Sequence, residues 1–309
     1  MSRRRRGQPI HGWIAFDKPY GMSSTQALAA VRRAAGAEKA GHGGTLDPLA
    51  TGLLPIALGE ATKTTQWAMA GVKRYEMTVR WGIATATDDA EGEVTERADL
   101  IPDEAAILAA LPRFIGRIMQ VPSTYSAILV DGRRAYDLAR AGETVELAAR
   151  AVDVAAFELL GFDDACHARF AVTCGKGVYM RSLGRDLARS LGSVGHLTRL
   201  RRLSVGRFSV ARAISMENLP ELGHRHGLSE HLLPIETALD DIPALALTEA
   251  EALRLRQGQH VRPLCPSDGT RLDRLAAGSI ISVSAGGILV AIATIDAGAL
   301  KPVRVLNLI

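Results

Sequence analysis

The stretch Gly41-His42-Gly43-Gly44-Thr45-Leu46-Asp47-Pro48-Leu49-Ala50-Thr51-Gly52-Leu53-Leu54 is the most unusual in the chain. Three glycines in its first four positions permit a strained loop and the close approach of a ligand, and Pro48 and Gly52 mark its exit. This pattern predicts that Asp47 is held in a tight loop. Spacing alone leaves two roles open for Asp47, a carboxylate at a functional site or a turn residue that caps the segment after it. A loop that cradles a nucleoside triphosphate is disfavoured because the G-x-x-x-x-G-K-[ST] pattern is missing.

Around this loop the residue pattern predicts a mixture of helices and strands. The segment from Ser23 to Ala35 is typical of a helix, with a serine N-cap and Gly36 as its stop. The alternation of large apolar side chains from Tyr75 to Trp81 predicts a strand. Because helices and strands mix without a strict βαβ alternation, we predict an α+β fold with a mixed, largely antiparallel central sheet. Further strands are expected at Trp13–Phe16 and Arg169–Cys174, and further helices at Pro102–Leu111 and Leu183–Leu191.

The chain changes character near Asp240. Beyond a polar, irregular connection, the tail has one expected helix, Thr248 to Gln257, and short strands punctuated by glycine and proline. We therefore expect a main domain over residues 1–240 and a small β-rich domain over residues 243–309. Histidines in the connection are interpreted as solvated rather than metal-binding, because no cysteine lies near them; they are His224, His226 and His231.

The composition is that of a globular protein. The 309 residues are 47% hydrophobic and 23% charged, and the length favours about two domains. The apolar stretches fall short of the roughly 20 residues that a spanning helix needs. The basic N-terminus Arg3–Arg6 is followed by polar residues such as Asp17, where a signal peptide needs an apolar segment. We expect a cytoplasmic protein.

The cysteines and the charge distribution limit the functions that the chain can have. Cys166, Cys174 and Cys265 are odd in number and far apart, so neither a disulfide framework nor a structural zinc site is indicated. The net charge is only +4, but arginines cluster from Tyr179 to Arg212, where Asp186 is the only acidic residue. Such a run is typical either of solvated helix faces or of a surface that binds a polyanion.

Several further blocks accompany the Gly41–Leu54 loop. With them the chain resembles the bacterial tRNA pseudouridine synthases of the TruB family, which modify uridine 55 in the T loop. The G-H-x-G-x-L-D-P-x-A-x-G segment is the most specific part of this resemblance, which extends over about residues 11–210. The other blocks are Asp17–Ser24, Lys73–Tyr75, Thr85–Gly92, Gln120–Ala127, Cys174–Leu183 and His196–Arg202.

The resemblance implies a fold, a reaction and a partner. The fold is that of the pseudouridine synthases, and residues 243–309 are similar to the PUA module that follows the catalytic domain in many members. The reaction moves the bond of ribose C1′ from N1 to C5 of a uracil, so atoms are conserved and neither a cofactor nor a metal is required. The expected partner is tRNA, through its T arm and T loop, with no membrane and with the enzyme as a monomer.

The family's catalytic residues match positions in three of these blocks. Asp47 matches the catalytic aspartate, whose carboxylate, normally ionised at neutral pH, acts on the ribose as a nucleophile or as a base. The covalent route and the glycal route both stay open. Arg181 matches the arginine that pairs with this aspartate. Tyr75 matches the tyrosine that stacks on the target base, although the alternation of its strand also fits a core residue.

The resemblance also points to the pocket for the uracil. Tyr179 and Leu200 match residues that line this pocket, and Asp89 matches a polar contact in it. Ordinary packing or turn roles stay open for all three, because each also fits a local pattern of helix start, strand or turn.

Other binding residues lie further from the uracil. His42 matches the histidine that enters the space left by the flipped uridine. Lys18, grouped with the binding residues, belongs to a motif that supports the catalytic loop. The arginines from Arg199 to Arg207, with Arg202 among them, are expected to follow phosphates and to make binding dependent on salt.

The chain departs from the family pattern at two positions. Leu129 stands where members often have lysine, and Gly175 stands where serine is common, so both departures bear on RNA contacts rather than on catalysis. Two other functions stay open: pseudouridylation of a different RNA, and an RNA-binding or tRNA-folding module in which Asp47 is structural. For the enzyme, we expect removal of the tail from Pro243 to weaken RNA binding and to spare the chemistry.

Overall fold

The computed structural model describes residues 7–126, 128–130, 132–141, 143, 145–263 and 275–308, so Arg3–Arg6 and Cys265 lie outside the described residues. The strands are β1 (Gly12–Lys18), β2 (Ala40–His42), β3 (Thr51–Leu58), β4 (Lys73–Trp81), β5 (Ile83–Thr85), β6 (Val94–Arg97), β7 (Gly116–Gln120), β8 (Leu129–Val130), β9 (Arg133–Arg134), β10 (Arg150–Asp164), β11 (His167–Cys174), β12 (Gly195–Val205), β13 (Phe208–Ser209), β14 (Leu232–Leu233), β15 (Ala244–Ala246), β16 (Ile280–Ala285), β17 (Ile288–Asp296) and β18 (Ala299–Val305). The α-helices are α1 (Ser24–Ala34), α2 (Thr65–Ala70), α3 (Glu104–Ala110), α4 (Ala135–Arg140), α5 (Met180–Ser190), α6 (Arg225–His231) and α7 (Glu249–Arg256). Short 3₁₀ helices occupy Gly59–Thr64, Leu111–Phe114, Val210–Arg212, Leu219–Gly223 and Ile235–Ala238.

A large central sheet forms the main body. Its strands run in the order β14-β1-β3-β12-β4-β11-β10-β7, with β2 paired to β3 and β13 paired to β12. Among the described pairings of this sheet, only that of β3 with β12 is parallel. The predicted α+β fold with a mixed, largely antiparallel sheet is confirmed.

Helices α1 and α5 contribute to the main hydrophobic core of the sheet. Ser23 caps α1 and forms a capping box with Gln26, and Gly36, with φ of +65°, follows the helix end. The predicted four-residue spacing in α5 buries Leu183 and Leu187 in this core. Within the described ranges, no helix combines the length and the apolar character needed to cross a bilayer.

Part of the arginine run lies on a strand. Arg199 and Arg202 belong to β12, so successive side chains point to opposite faces of the sheet. The Arg199 side chain is 80% exposed, whereas Arg202 is only 2% exposed. The interpretation of the run as solvated helix faces is therefore wrong for this segment.

The strands β3 and β12 approach each other closely at the exit of the Gly41–Leu54 loop. Gly52 pairs with Arg202 in the parallel register and has a φ of +94°. A Cβ atom at Gly52 would lie 2.3 Å from the carbonyl oxygen of Arg202. Because only glycine fits both the contact and the backbone conformation, the loop exit is fixed against the strand that carries Arg202.

A second, four-stranded sheet begins at Ala244. Its order is β15-β16-β17-β18, and with α7 it encloses a hydrophobic cluster of its own. A small β-rich body therefore follows the central sheet in the chain.

The two bodies share a buried interface. Leu289, Ile292 and Leu306 of the second body belong to one hydrophobic cluster with Trp13 and Phe208 of the first. At its edge the Lys63 ammonium donates to the Val305 carbonyl at 2.8 Å, and the Asn307 amide donates to a Glu60 carboxylate oxygen at 2.8 Å. Removing the tail would expose this cluster, so the expectation that truncation only weakens RNA binding does not fit the packing.

Substitution of Leu306 by alanine tests the shared interface. Leu306→Ala should lower the free energy of unfolding by roughly 2–5 kcal/mol, because it leaves a cavity between the two bodies. Leu253→Ala is the matched control, since Leu253 is 55% exposed on α7, and it should change the value by less than about 0.5 kcal/mol. Urea unfolding followed by circular dichroism measures both. Equal stability of the two variants would contradict the shared core.

Candidate active site

Asp47 lies in the loop between β2 and β3. The loop is closed by backbone hydrogen bonds from the Ala50 amide to the Asp47 carbonyl at 3.1 Å and from the Gly43 amide to the Pro55 carbonyl at 2.8 Å. The Asp47 side chain is 38% exposed. The backbone of Asp47 thus forms a turn, which is one of the two roles that the sequence leaves open for this residue. Its carboxylate stays accessible to a ligand.

Arg181 comes from the first turn of α5 and pairs with this carboxylate. Its Nε lies 3.1 Å from Oδ2 of Asp47, and the arginine side chain is only 6% exposed. A guanidinium buried to this degree must be matched by acceptors, because an unpaired buried charge is strongly unfavourable. The structure therefore brings together the aspartate and arginine that the sequence predicts to pair.

Acceptors from two other segments surround the same guanidinium. Its Nη1 donates to the Thr87 carbonyl at 2.9 Å and to the Ser123 hydroxyl at 3.3 Å. Its Nη2 donates to the Tyr125 carbonyl at 2.7 Å. Arg181 is thus fixed on several sides, so it presents Nε to Asp47 in a defined orientation.

Lys18 lies beneath the loop and is fully buried. Its ammonium donates to the carbonyls of Met22 at 2.6 Å, Pro19 at 3.0 Å and Pro48 at 3.3 Å. Burial lowers the pKa of Lys18 to about 8, and the nearby charge of Asp47 opposes this shift. Lys18 therefore supports the loop from below, as its motif implies, and does not reach a substrate.

Ser24 holds the loop on the other side of Asp47. Its hydroxyl donates to the Leu46 carbonyl and accepts from the Leu46 amide, both at 2.8 Å. The Gly21 amide also donates to the Pro48 carbonyl at 2.9 Å. The residues on both sides of Asp47 are thus tied to the segment that follows β1.

Arg202 lies under the start of the loop. Its side chain donates to the carbonyls of Leu53 at 2.8 Å, Gly44 at 3.0 Å and Thr45 at 3.4 Å. At 2% exposure, this guanidinium has no access to a phosphate. The structure therefore corrects the expectation that Arg202 follows phosphates, because strand alternation turns it inward to hold the loop.

Tyr75 faces the same interior. It pairs with Arg202 in the antiparallel register of β4 and β12, and it is 9% exposed. Burial raises the pKa of the Tyr75 hydroxyl, while the Arg202 charge partly opposes the rise. Leu200, 7% exposed, pairs with Met77 two residues further along β4 and belongs to the same core. Tyr75 is thus a neutral aromatic residue at the core edge.

Asp89 is almost fully buried, at 2% exposure. Its Oδ2 lies 3.4 Å from Nη1 of Arg181. Its Oδ1 accepts hydrogen bonds from the Glu91 amide at 3.0 Å and from the Thr87 hydroxyl. These contacts give Asp89 a role in orienting Arg181, in addition to the pocket contact that the resemblance implies.

Tyr179 immediately precedes α5. Its amide donates to Oε1 of Gln120 at 2.8 Å, and the Gln120 side chain donates back to the Tyr179 carbonyl at 3.1 Å. The Arg150 guanidinium lies 5.0 Å from the centre of the tyrosine ring, within cation–π range. Gln120 thus anchors the start of the helix that carries Arg181.

His42 lies at the end of β2, before the Asp47 turn. Burial lowers the pKa of His42, and the charge of Arg202 adds to this effect. In the described part of the chain, its buried Nδ1 has no hydrogen-bond partner. His42 is therefore neutral at physiological pH, which suits contact with bases better than contact with phosphates.

A cavity of about 550 Å³ adjoins the loop of Asp47. Leu49, Met77 and Leu200 give it an apolar part, and Arg169 and Arg199 give it positive charge. The cavity lining contains Leu200 from the predicted uracil pocket and none of the predicted catalytic residues. A surface with this combination can accept bases and phosphates of an RNA next to the site.

Sequence reasoning missed three residues that organise the site. Ser24 was interpreted only as a possible helix cap, whereas Gln120 and Ser123 were parts of a block without assigned roles. Membership in the family's blocks was the available signal. Their contacts join segments far apart in the chain, which no local pattern indicates.

Metal binding finds no support in the arrangement of the side chains. Over the described ranges, no three His, Cys, Asp or Glu residues are grouped to hold a metal ion. His224 and His226 are exposed, and His231 lies 3.6 Å from the carboxylate of Glu221. The exposure of His224 and His226 agrees with their interpretation as solvated, whereas the His231 side chain is only 25% exposed.

Comparison with known proteins decides the family. The model of the TruB family pseudouridylate synthase N-terminal domain matches residues 32–180, and that of the tRNA pseudouridylate synthase B C-terminal domain matches residues 181–240. A Rhodospirillum rubrum protein named tRNA pseudouridine synthase B is 54% identical over 308 residues, with 100% of both chains covered. This chain belongs to the TruB family. It is a pseudouridine synthase and therefore an isomerase.

A second relative and two solved structures are also similar to this chain. A Caulobacter vibrioides protein, also named tRNA pseudouridine synthase B, is 50% identical over 309 residues, with 100% of both chains covered. The structure titled Crystal Structure of a Cbf5-Nop10-Gar1 Complex has a TM-score of 0.71 at 23% identity, covering 96% of this chain and 84% of that one. The structure titled Structure of H/ACA RNP bound to a substrate RNA containing 2'-deoxyuridine has a TM-score of 0.72 at 21% identity, and the match covers 99% of this chain and 92% of that one. These two structures support the pseudouridine synthase fold.

The pKa of Lys18 predicts how activity depends on pH. Above pH 8 the ammonium loses a proton, so its charge beside Asp47 and one of its donors to the loop are lost. Single-turnover pseudouridine formation should therefore be about tenfold slower at pH 9 than at pH 7.

Lys73 provides the control for the dependence of the rate on pH, because burial also lowers the pKa of Lys73 to about 8. Its ammonium, however, donates to the carbonyls of Met69 and Gly71 and not to the loop of Asp47. Lys73→Met should keep the same decline between pH 7 and pH 9. A rate that stays constant to pH 9 in the unmodified enzyme, or a decline that disappears in Lys73→Met, would contradict the role given to Lys18.

Proposed function

We propose that this enzyme converts uridine 55 in the T loop of tRNA to pseudouridine, with the target base flipped out and Asp47 acting on its ribose. The full-length relatives named tRNA pseudouridine synthase B, at 54% and 50% identity, support tRNA as the substrate. The observation that carries the role of Asp47 is its 3.1 Å ion pair with buried Arg181, combined with a side chain that is 38% exposed. A carboxylate that is both held and accessible can reach a ribose.

The reaction needs little beyond a positioned carboxylate. The bond from C1′ to N1 breaks, the uracil turns and a bond from C1′ to C5 forms. The C5 proton then leaves to solvent and N1 takes up a proton from solvent, so atoms and electrons balance. Asp47 can attack C1′ as a nucleophile or take the C2′ proton as a base. Either role requires its oxygen beside the ribose, and Arg181 holds it in one orientation.

The surrounding residues suit a flipped uridine. Tyr75, a neutral aromatic side chain by the direction of its pKa shift, offers a face for stacking on the uracil, and Leu200 adds apolar surface. His42 is neutral and precedes the Asp47 turn, so it suits the space that the base leaves in the loop. Extrusion of a base costs a few kcal/mol, and such contacts offset part of it.

The tRNA backbone is bound by exposed basic side chains. Arg199, with its side chain 80% exposed, is suited to this role, whereas Arg202 is not. Residues 243–309 act as a PUA-like RNA-binding unit next to the catalytic domain of residues 1–240. The pair of Asp47 and Arg181 forms within one copy of the chain, so a monomer is sufficient for this contact, and a tRNA substrate fits work in the cytoplasm.

Substitution of Asp47 tests the proposal. Asp47→Asn should abolish tritium release from tRNA labelled at uridine C5, because the amide can neither attack nor accept a proton, while the Kd for tRNA should stay within about threefold. Mapping the product of the unmodified enzyme should locate pseudouridine at position 55 alone.

Asp99→Asn is the matched control, since Asp99 is exposed on the surface. It should release tritium at the unmodified rate. Normal turnover by Asp47→Asn would refute the catalytic role, and a product at another uridine or in another RNA would refute the assigned substrate. Tight tRNA binding without turnover by the unmodified protein would favour an RNA-binding module instead.

A further inference from the structure

Arg185 lies one helical turn after Arg181 on α5 and does not touch Asp47. Its Nη1 donates to Oδ2 of Asp88 at 2.9 Å, its Nη2 to the Val121 carbonyl at 2.8 Å, and its Nε to Oδ1 of Asp186 at 2.8 Å. Only 12% of its side chain is exposed. Because residues four apart share one face of a helix, Arg181 and Arg185 reach out to the same part of the molecule.

The turn that Arg185 holds has an unusual backbone. Asp88 has a φ of +59°. In the described ranges, Asp88 and Ala297 are the only non-glycine residues with a positive φ. A left-handed conformation at such a residue persists only when the surroundings fix it. Arg185 fixes the Asp88 side chain, which is 15% exposed, and the Leu197 amide fixes the backbone by donating to the Asp88 carbonyl at 3.1 Å.

The residues on both sides of Asp88 are those that contact Arg181. The Thr87 carbonyl and the Asp89 carboxylate lie 2.9 Å and 3.4 Å from Nη1 of Arg181. The backbone angles at Asp88 set the direction of both groups, because they lie directly before and after it in the chain. A change of this turn would therefore move two of the acceptors that orient Arg181.

The same two arginines also hold a second segment. Arg185 binds the Val121 carbonyl, while Arg181 binds the Ser123 hydroxyl and the Tyr125 carbonyl, so the contacts fall on every second residue. Contacts from both arginines fix the rotation of each segment as well as its position. Arg185 supplies one point on each, although it stays away from the reacting groups.

We propose that Arg185 is a positioning residue for the isomerisation: by fixing the Asp88 turn, it holds Thr87 and Asp89 where they orient Arg181 against Asp47. This inference rests on the catalytic role proposed for Asp47. Loss of the guanidinium would leave the buried Asp88 carboxylate without its cation, and the turn would relax away from Arg181. The side chains of Arg185 and Asp88 are only 12% and 15% exposed, so we expect the effect to fall on the chemical step rather than on RNA binding.

The test compares rate and affinity in the full-length enzyme. Arg185→Met should lower the single-turnover rate constant for tRNA about 10- to 100-fold, the range that a misplaced catalytic group causes, and leave the Kd within about threefold. Ser190→Ala is the control on the same helix, where the side chain is exposed and carries no charge, and it should react within about twofold of the unmodified rate. Thermal unfolding verifies that each variant is folded.

A double variant separates positioning from general damage. Asp88→Asn should also slow the reaction, but Arg185→Met combined with Asp88→Asn should be no slower than Arg185→Met alone, because the one interaction is already lost. Additive losses, a loss confined to affinity, or equal rates for Arg185→Met and Ser190→Ala would overturn the proposal. If Arg185→Met does not fold, Arg185→Lys and Asp88→Asn carry the test, and unmodified rates in both would overturn it.

Asp47→Asn, measured in parallel, separates a failure of the proposed function from a failure of the positioning role of Arg185. Full activity of Asp47→Asn would refute the proposed function itself. An inactive Asp47→Asn together with an unaffected Arg185→Met would refute only the positioning role of Arg185.

Discussion

The ion pair between Arg181 and Asp47 is the contact on which the rest of the site depends. Asp47 lies in a glycine-rich loop, and it gains a defined orientation only because a buried guanidinium meets it at 3.1 Å. That guanidinium is held by acceptors from two further segments, among them Asp89 and the Tyr125 carbonyl. Three parts of the chain that are distant in sequence are thus joined at one side chain, and a shift in any of them reaches the Asp47 carboxylate.

The central sheet supplies the remaining constraints. Gly52, Arg202 and Tyr75 lie side by side on β3, β12 and β4, so the backbone register sets the distance between the loop exit and the aromatic side chain. Arg202 uses this position to bind three loop carbonyls from below, and Lys18 binds the Pro48 carbonyl next to Asp47. Strand register tolerates little slippage when one face of the sheet is buried, so the paired strands fix the position of the loop.

Local patterns predicted α1, α5 and β4 because caps, apolar spacing and alternation act over a few residues. The family's blocks indicated Asp47, Arg181 and Tyr75. The inward direction of Arg202 was not predicted, because no strand was expected at β12, and it is the alternation of this strand that separates Arg202 from the exposed Arg199. The roles of Ser24 and Ser123 and the core shared by the two bodies depend on long-range packing, which no local pattern encodes.

The most direct test is a crystal structure of this enzyme bound to a T-arm RNA hairpin whose target uridine carries fluorine at C5, where the final proton cannot leave. The measured quantity is the distance from the Asp47 carboxylate to the target ribose. We predict a flipped uracil stacked on Tyr75, an Asp47 oxygen within about 3.5 Å of C1′ or C2′, and Arg181 still paired with Asp47. A ribose out of reach of Asp47, or an Asp47 that has left Arg181, would contradict this prediction.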